Sequence, residues 1–188
     1  MTVAPVVRPR RLVLLAPLAL AVLAGCSSGV FQRTEDRPCP PVRVEATSSE
    51  VTQFREGPGR DLTDVVLEAE IAGYQGECQY DDDEGSVTVE LVLDMTASLG
   101  PAATARTQNV RYFVALPRFY PSERGKRVFE SALAFPANAD RVRYVGEELS
   151  ITVPMDPTDS AEDYPIYVGF QLTPEQAEYN RSQRPVRR

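Results

Sequence analysis

A run of acidic residues near the middle of the chain groups side chains that could bind an ion. Asp81, Asp82, Asp83 and Glu84 stand next to each other and precede Gly85. Carboxylate oxygens are the ligands that Ca²⁺ prefers, but the ligands of a calcium loop alternate along the chain, whereas these are contiguous. They also separate two segments of alternating apolar residues, where the polar tip of a β-hairpin is expected. The pattern favours a hairpin turn, with a weak calcium site as the alternative.

Side chains that carry hydrolytic chemistry are otherwise sparse. The chain has no histidine, the commonest general base and metal ligand. No Gly-x-Ser-x-Gly or Ser-x-x-Lys motif marks a nucleophilic serine. The 27 acidic residues would permit a pair of carboxylates to act in hydrolysis, but no spacing selects a pair. We therefore expect a protein that is not an enzyme and that uses no cofactor.

The beginning of the chain has the three-part plan of an export signal. Arg8, Arg10 and Arg11 precede an uncharged apolar run at residues 12–23, and the motif Leu23-Ala24-Gly25-Cys26 follows. The apolar run is shorter than the roughly 20 residues that a membrane-spanning helix needs, which favours a cleaved signal peptide. The motif resembles the lipobox of bacterial lipoproteins.

This resemblance implies that residues 1–25 are a lipoprotein signal peptide and that Cys26 becomes the acylated first residue of the mature chain. Several acyl chains anchor a protein durably, because each buried methylene contributes about 0.8 kcal/mol. The following Ser27 resembles the signal for export to the outer membrane of Gram-negative bacteria. The expected location is thus the cell envelope, at the outer membrane facing the periplasm if the bacterium is Gram-negative. A secretory signal with a coincidental cysteine, or a membrane span, is the alternative.

The expected location also predicts the bonding state of the other two cysteines. If a lipid occupies Cys26, Cys39 and Cys78 remain, and in an oxidising compartment they are expected to form a disulfide. Free thiols are one alternative. A metal or redox site is another, although the spacing is not C-x-x-C and no histidine accompanies it.

The overall charge restricts the partners. The formal net charge is −7, and removal of the arginine-containing signal makes the mature chain more acidic. Nucleic acids and anionic lipids are bound by basic surfaces. We therefore expect no nucleic acid partner and no headgroup binding, so that the membrane contact is made by the acylated cysteine.

From residue 42 onward the dominant period is two, which predicts half-buried strands. Shorter patterns at residues 42–44 and 51–54 bring the total to about seven or eight antiparallel strands. The pattern predicts an all-β fold, a two-sheet sandwich of the immunoglobulin or fibronectin type. The longer alternating segments are residues 65–71, 87–93, 110–116, 129–135, 149–155 and 166–172.

The remaining segments complete the predicted organisation. Residues 26–40 form a lipidated tether, 41–181 the sandwich domain and 182–188 a disordered basic tail. Thr173 and Pro174 begin a short helix, since they are typical N-cap and first-turn residues. The mature part also resembles proteobacterial envelope lipoproteins with an immunoglobulin-like sandwich.

Two aromatic residues mark a possible partner surface. Phe113 and Tyr167 fall on the face opposite the apolar series of their strands, although a second layer or the terminal helix could cover them. We expect a non-catalytic interaction or assembly module whose partner is another envelope protein. The alternative is an envelope hydrolase or a ligand-binding protein that uses carboxylates.

Overall fold

The structure, a computed structural model, describes residues 37–183. The predicted signal peptide, Cys26, the tether up to residue 36 and the tail from residue 184 lie outside the described residues. The described part confirms the all-β, two-sheet sandwich. It contains nine strands and one short α-helix, whereas the sequence predicts seven or eight strands.

The strands pair into a four-stranded and a five-stranded sheet. The four-stranded sheet has the order β1-β9-β5-β6, and the five-stranded sheet has the order β2-β3-β4-β7, with β8 beside β4. The β1–β9 pair is parallel, and the other pairs are antiparallel. The elements are β1 (Val42–Val44), β2 (Glu50–Phe54), β3 (Val65–Asp81), β4 (Ser86–Leu99), β5 (Thr107–Ala115), β6 (Lys126–Ala134), β7 (Arg141–Val145), β8 (Leu149–Pro154), β9 (Ile166–Phe170) and α1 (Pro174–Gln183).

The core lies between the two sheets. It is built by the alternating apolar residues that the sequence marks, because every second side chain of a strand points to the same face. In β4, for example, Leu91 and Met95 are both 0% exposed. The largest fully buried side chains are Phe170, Leu67, Leu91, Leu93, Met95, Leu133, Ile166, Val87, Val110, Val153 and Val168.

The long β3–β4 hairpin extends past the strand that flanks it. β2 pairs with β3 only as far as Glu70, and the β3–β4 register then shifts between Ile71 and Gly73. Such a shift marks a β-bulge, which bends a strand. The part of β3 after the bulge faces a different neighbour, the N-terminal segment of the described chain.

Residues 37–41, which we call the strap, are fastened along this part of β3. The Tyr80 hydroxyl donates to the Pro38 carbonyl oxygen at 2.6 Å. The Cys39–Cys78 disulfide confirms the expected pairing, with Cα atoms 5.8 Å apart. Arg37 lies 3.9 Å from the centroid of the Tyr80 ring. The described fold therefore already includes Arg37, ahead of the domain start predicted at residue 41.

The helix closes the edge of the five-stranded sheet at β2. Its start has the predicted cap, since the Gln176 amide donates to Thr173 Oγ1 at 3.2 Å and the Thr173 amide donates to Gln176 Oε1 at 2.9 Å. The Asn180 side chain donates to the carbonyl oxygens of Thr47 and Glu50. The helix continues to Gln183, two residues into the segment predicted as tail.

Loss of the disulfide should loosen the strap and destabilise the whole domain. The bond joins residues separated by 39 positions, and closing a loop of that length stabilises a fold by about 3–4 kcal/mol in the chain-entropy model. We expect the double substitution Cys39→Ser with Cys78→Ser to lower the free energy of unfolding by that amount, measured by urea denaturation. Wild type under reducing conditions is the control and should match the double variant. An unchanged urea midpoint would contradict a stabilising role.

Candidate functional site

Phe113 and Tyr167 lie together on the outer face of the four-stranded sheet. In the strand registers, Phe113 stands opposite Gly169 and Val128, and Tyr167 stands opposite Ala115. Both aromatic rings are half-buried, and Val128 is 42% exposed. The two residues that the sequence singles out therefore belong to one surface, formed by three neighbouring strands.

The absence of a side chain at Gly169 leaves room for the Phe113 ring beside β9. A Cβ atom at position 169 would lie 3.0 Å from two ring carbons of Phe113 and would overlap the Ser48 hydroxyl. Contacts this close are rare for real Cβ atoms, so any larger residue would displace the ring. The ring is thus held partly by the backbone at Gly169.

Basic side chains surround these apolar ones. Arg43 stands opposite Tyr167 on β1, and Arg111 is two residues from Phe113 on β5. The Lys126 ammonium lies 4.4 Å from the centroid of the Phe113 ring, a cation–π contact. We call this surface the basic apolar face, formed by Arg43, Arg111, Phe113, Ala115, Lys126, Val128 and Tyr167, with Glu130 opposite Arg111 on β6.

The cations of this face have no carboxylate partner within 4 Å among residues 37–183. The same holds for Arg124 and Arg127 at the start of β6. Most other described arginines do form ion pairs: Arg37, Arg55, Arg60, Arg106, Arg118, Arg143 and Arg181. Within a chain of net charge −7, uncompensated positive charge is therefore concentrated at one sheet.

The outer face of the five-stranded sheet has the opposite character. Glu50 and Glu70 stand opposite each other there, and Glu68 follows on β3. Asp94 accepts hydrogen bonds from Arg143, and these bonds hold the pKa of the Asp94 carboxyl below its ordinary value. The two outer faces thus differ in the sign of most of their charges.

Sequence analysis identifies the aromatic residues of the face but not its cations. Arg111 and Phe113 share a face because they are two positions apart in a strand, a signal that was available in the sequence. Whether a cation has a carboxylate partner depends on neighbouring strands and loops, which only the tertiary structure brings together.

The acidic run forms a hairpin tip, as the sequence favours. Asp81 ends β3, and Gly85 adopts a positive φ of 61° before β4 begins. The Asp81 carboxylate accepts a hydrogen bond from the Glu84 amide at 2.9 Å. The Asp82 carboxylate accepts hydrogen bonds from both terminal nitrogens of Arg37. The Arg37 hydrogen bond lowers the pKa of Asp82. Among residues 37–183, no group of three or more acidic, cysteine or histidine side chains is arranged to hold a metal ion.

A groove of about 450 Å³ lies beside this tip, lined by residues that include Tyr80, Met155 and Asp156. Two of its carboxylates are bound to arginines, Asp82 to Arg37 and Asp159 to Arg118. A pair of hydrolytic carboxyl groups needs one member that keeps its proton at neutral pH. An arginine partner favours the opposite state, as the lowered pKa of Asp82 illustrates.

Calcium should have little effect on stability. A ligand that binds the native state raises its melting temperature, but Asp81 and Asp82 already bond the turn and Arg37. We expect the melting temperature to change by less than about 1 °C in 5 mM CaCl₂, measured by calorimetry with MgCl₂ as the control. A clear rise with calcium alone, abolished by Asp83→Asn, would instead support the calcium site.

No helix within residues 37–183 is long and apolar enough to cross a membrane.

Comparisons of the chain with protein-family models, with curated proteins and with solved structures found no match.

Proposed function

We propose that this protein is a lipid-anchored protein of the bacterial cell envelope and that its β-sandwich is a non-catalytic module that holds another envelope protein. The observation that carries the proposal is the basic apolar face, where uncompensated cations surround half-buried aromatic rings. Protein interfaces typically combine an aromatic centre with a polar rim.

Two features support the location. The motif Leu23-Ala24-Gly25-Cys26 follows a positive segment and a short apolar run. The disulfide between Cys39 and Cys78 is of the kind that persists in oxidising compartments. The strap begins about ten residues after Cys26, and an extended segment of that length reaches at most roughly 35–40 Å. An anchor at Cys26 would therefore keep the sandwich close to the membrane surface.

The charge of the face favours a protein partner with an acidic surface. Rim charges of opposite sign accelerate association and select partners. Arg43 and Lys126 can provide this, because neither forms an ion pair among residues 37–183, whereas Arg111 stands opposite Glu130. Aromatic residues at the centre of an interface contribute most of the affinity, and Phe113 and Tyr167 hold that position.

The anchor is tested by mass spectrometry of the mature N-terminus and by membrane fractionation. We expect Cys26 to carry the mass of a diacylglyceryl group, and Cys26→Ser to move the protein from the membrane to the soluble fraction, because the acyl chains supply the membrane affinity. Ser28→Ala is the matched control and should remain bound to the membrane. An unmodified Cys26 would contradict the envelope anchor.

The interaction is tested by chemical crosslinking in intact cells and recovery of the tagged chain. We expect a specific envelope partner whose recovery falls for Phe113→Ala and for Tyr167→Ala, because loss of a central aromatic side chain weakens binding by about 30-fold. The matched control is Val145→Ala, which removes a 60% exposed apolar side chain from the other sheet.

Two outcomes decide the test. The proposal fails if the aromatic variants recover the partner as wild type does, or if no envelope protein exceeds background. Circular dichroism must show that each variant melts cooperatively near the wild-type temperature, so that a lost partner reports a lost contact.

A further inference from the structure

We infer that β6 binds an extended acidic and apolar segment of the partner as an additional strand of the four-stranded sheet. This inference rests on the interaction role proposed above and specifies the chemistry of the partner. Strand addition supplies affinity through backbone hydrogen bonds and specificity through alternate side chains.

The backbone of β6 is available for such pairing. The strand ends the order β1-β9-β5-β6 and is nine residues long. One edge pairs with β5 along its whole length without a register shift, from Ala134 opposite Thr107 to Lys126 opposite Ala115. No strand among residues 37–183 pairs with its other edge. An unpaired edge of this length is a template for a further strand.

The other open edges fit this role less well. β1 has three residues, β7 has five and β8 has six, all shorter than the nine of β6. β2 is short and lies under α1, where Phe54 contacts Tyr179 with ring centroids 5.0 Å apart. The part of β3 after the bulge is longer, but the bulge bends it, and the strap is fastened along it through Tyr80 and Cys78. Among these edges of residues 37–183, β6 combines nine residues with a register that has no shift and with no described segment fastened along it.

The side chains of β6 specify what should lie beside it. On the outer face the first half of the strand presents Lys126 and Val128, the latter 42% exposed, and Glu130 follows opposite Arg111. On the inner side it presents Arg127 and Phe129, with the Arg127 guanidinium 5.1 Å from the centroid of the Phe129 ring. The two cations contact aromatic rings but form no ion pair within residues 37–183.

A neighbouring strand places successive side chains opposite these residues. Opposite charges and apolar pairs across strands are favourable, whereas like charges are unfavourable. The complementary segment therefore has two consecutive acidic residues opposite Lys126 and Arg127, and two consecutive apolar residues opposite Val128 and Phe129. In the antiparallel arrangement, which is slightly more stable per residue, its order is apolar, apolar, acidic, acidic.

The occupant is a segment of another protein and not a second copy of this chain. In a second copy, the acidic run at residues 81–84 would be the candidate to pair with β6. At the hairpin tip, however, Asp81 already accepts a hydrogen bond from Glu84 and Asp82 accepts one from Arg37. Pairing with a copy would have to break these bonds. A partner segment with free acidic residues meets no such cost.

The test uses the full-length lipoprotein in detergent micelles and a synthetic nonapeptide with Val-Val-Glu-Glu at its centre and threonine on both sides. Binding is measured by fluorescence anisotropy, and the location by amide hydrogen exchange. We expect saturable binding that weakens with salt and slower exchange of β6 amides, with a peptide of reversed central order binding more weakly.

Charge reversal gives the decisive comparison. Lys126→Glu combined with Arg127→Glu should weaken binding of this peptide by about tenfold or more. A peptide with lysines in place of the glutamates should then bind the double variant and not wild type. The matched control is Arg141→Glu, which reverses another cation without a carboxylate partner, on the five-stranded sheet where it contacts Ser98. It should leave binding unchanged.

The outcomes separate this inference from the proposed function. Absence of binding, binding without protection of β6, or an equal loss in Arg141→Glu would overturn strand addition at β6. Protection of β6 that rises with protein concentration without peptide would show that a second copy is the occupant, and would also overturn it. If Phe113→Ala still abolishes recovery of the partner in cells, the proposed function stands without the inference. If the charge-swapped peptide binds the charge-swapped variant but the aromatic variants recover the partner normally, strand addition at β6 stands and the proposed role of the aromatic residues fails.

Discussion

The five-stranded sheet depends on β4, whose two edges are both paired. β3 binds one edge along the length of the hairpin, while β7 and β8 divide the other. A strand held on both edges cannot slip by one residue without moving its whole apolar set to the solvent face. The inner side chains Leu91, Leu93 and Met95 are accordingly at most 1% exposed. The positions of the four-stranded sheet and of the strap are set by this fixed surface.

The fixed hairpin also determines where a membrane anchor would pull. The strap is bound at the far end of the hairpin by Arg37, the disulfide and the Tyr80 hydroxyl, so a force on the N-terminus is taken up by a covalent bond to β3. The edge of the four-stranded sheet at β6 lies on different strands from this attachment. An anchored sandwich could therefore bind a partner on β6 without loosening the contacts that hold it to the membrane.

Alternation in the sequence predicts most of the strands and the side of the sheet that each side chain occupies, which is why Phe113 and Tyr167 could be placed on the outer face. It misses β7, because a five-residue strand with exposed Arg141 and Arg143 resembles a charged loop. The alternating pattern also predicts that β3 ends at Ile71, whereas the strand continues to Asp81, because Gly73 and Gly76 interrupt the alternation after the bulge. The sequence does not show which cations lack a carboxylate partner, because ion pairs form between residues that are distant in the chain.

Protection of an exposed edge is an alternative reason for the cations on β6, since charged residues on edge strands prevent unwanted pairing. That reason applies to Lys126 and Arg127, and also to Arg43 on β1, the other edge strand of the sheet. It does not apply to Arg111, because β5 has neighbours on both sides. It does not explain Phe113 and Tyr167 either, since apolar residues do not protect an edge. A surface that attracts an acidic partner accounts for the cations together with the aromatic rings between them.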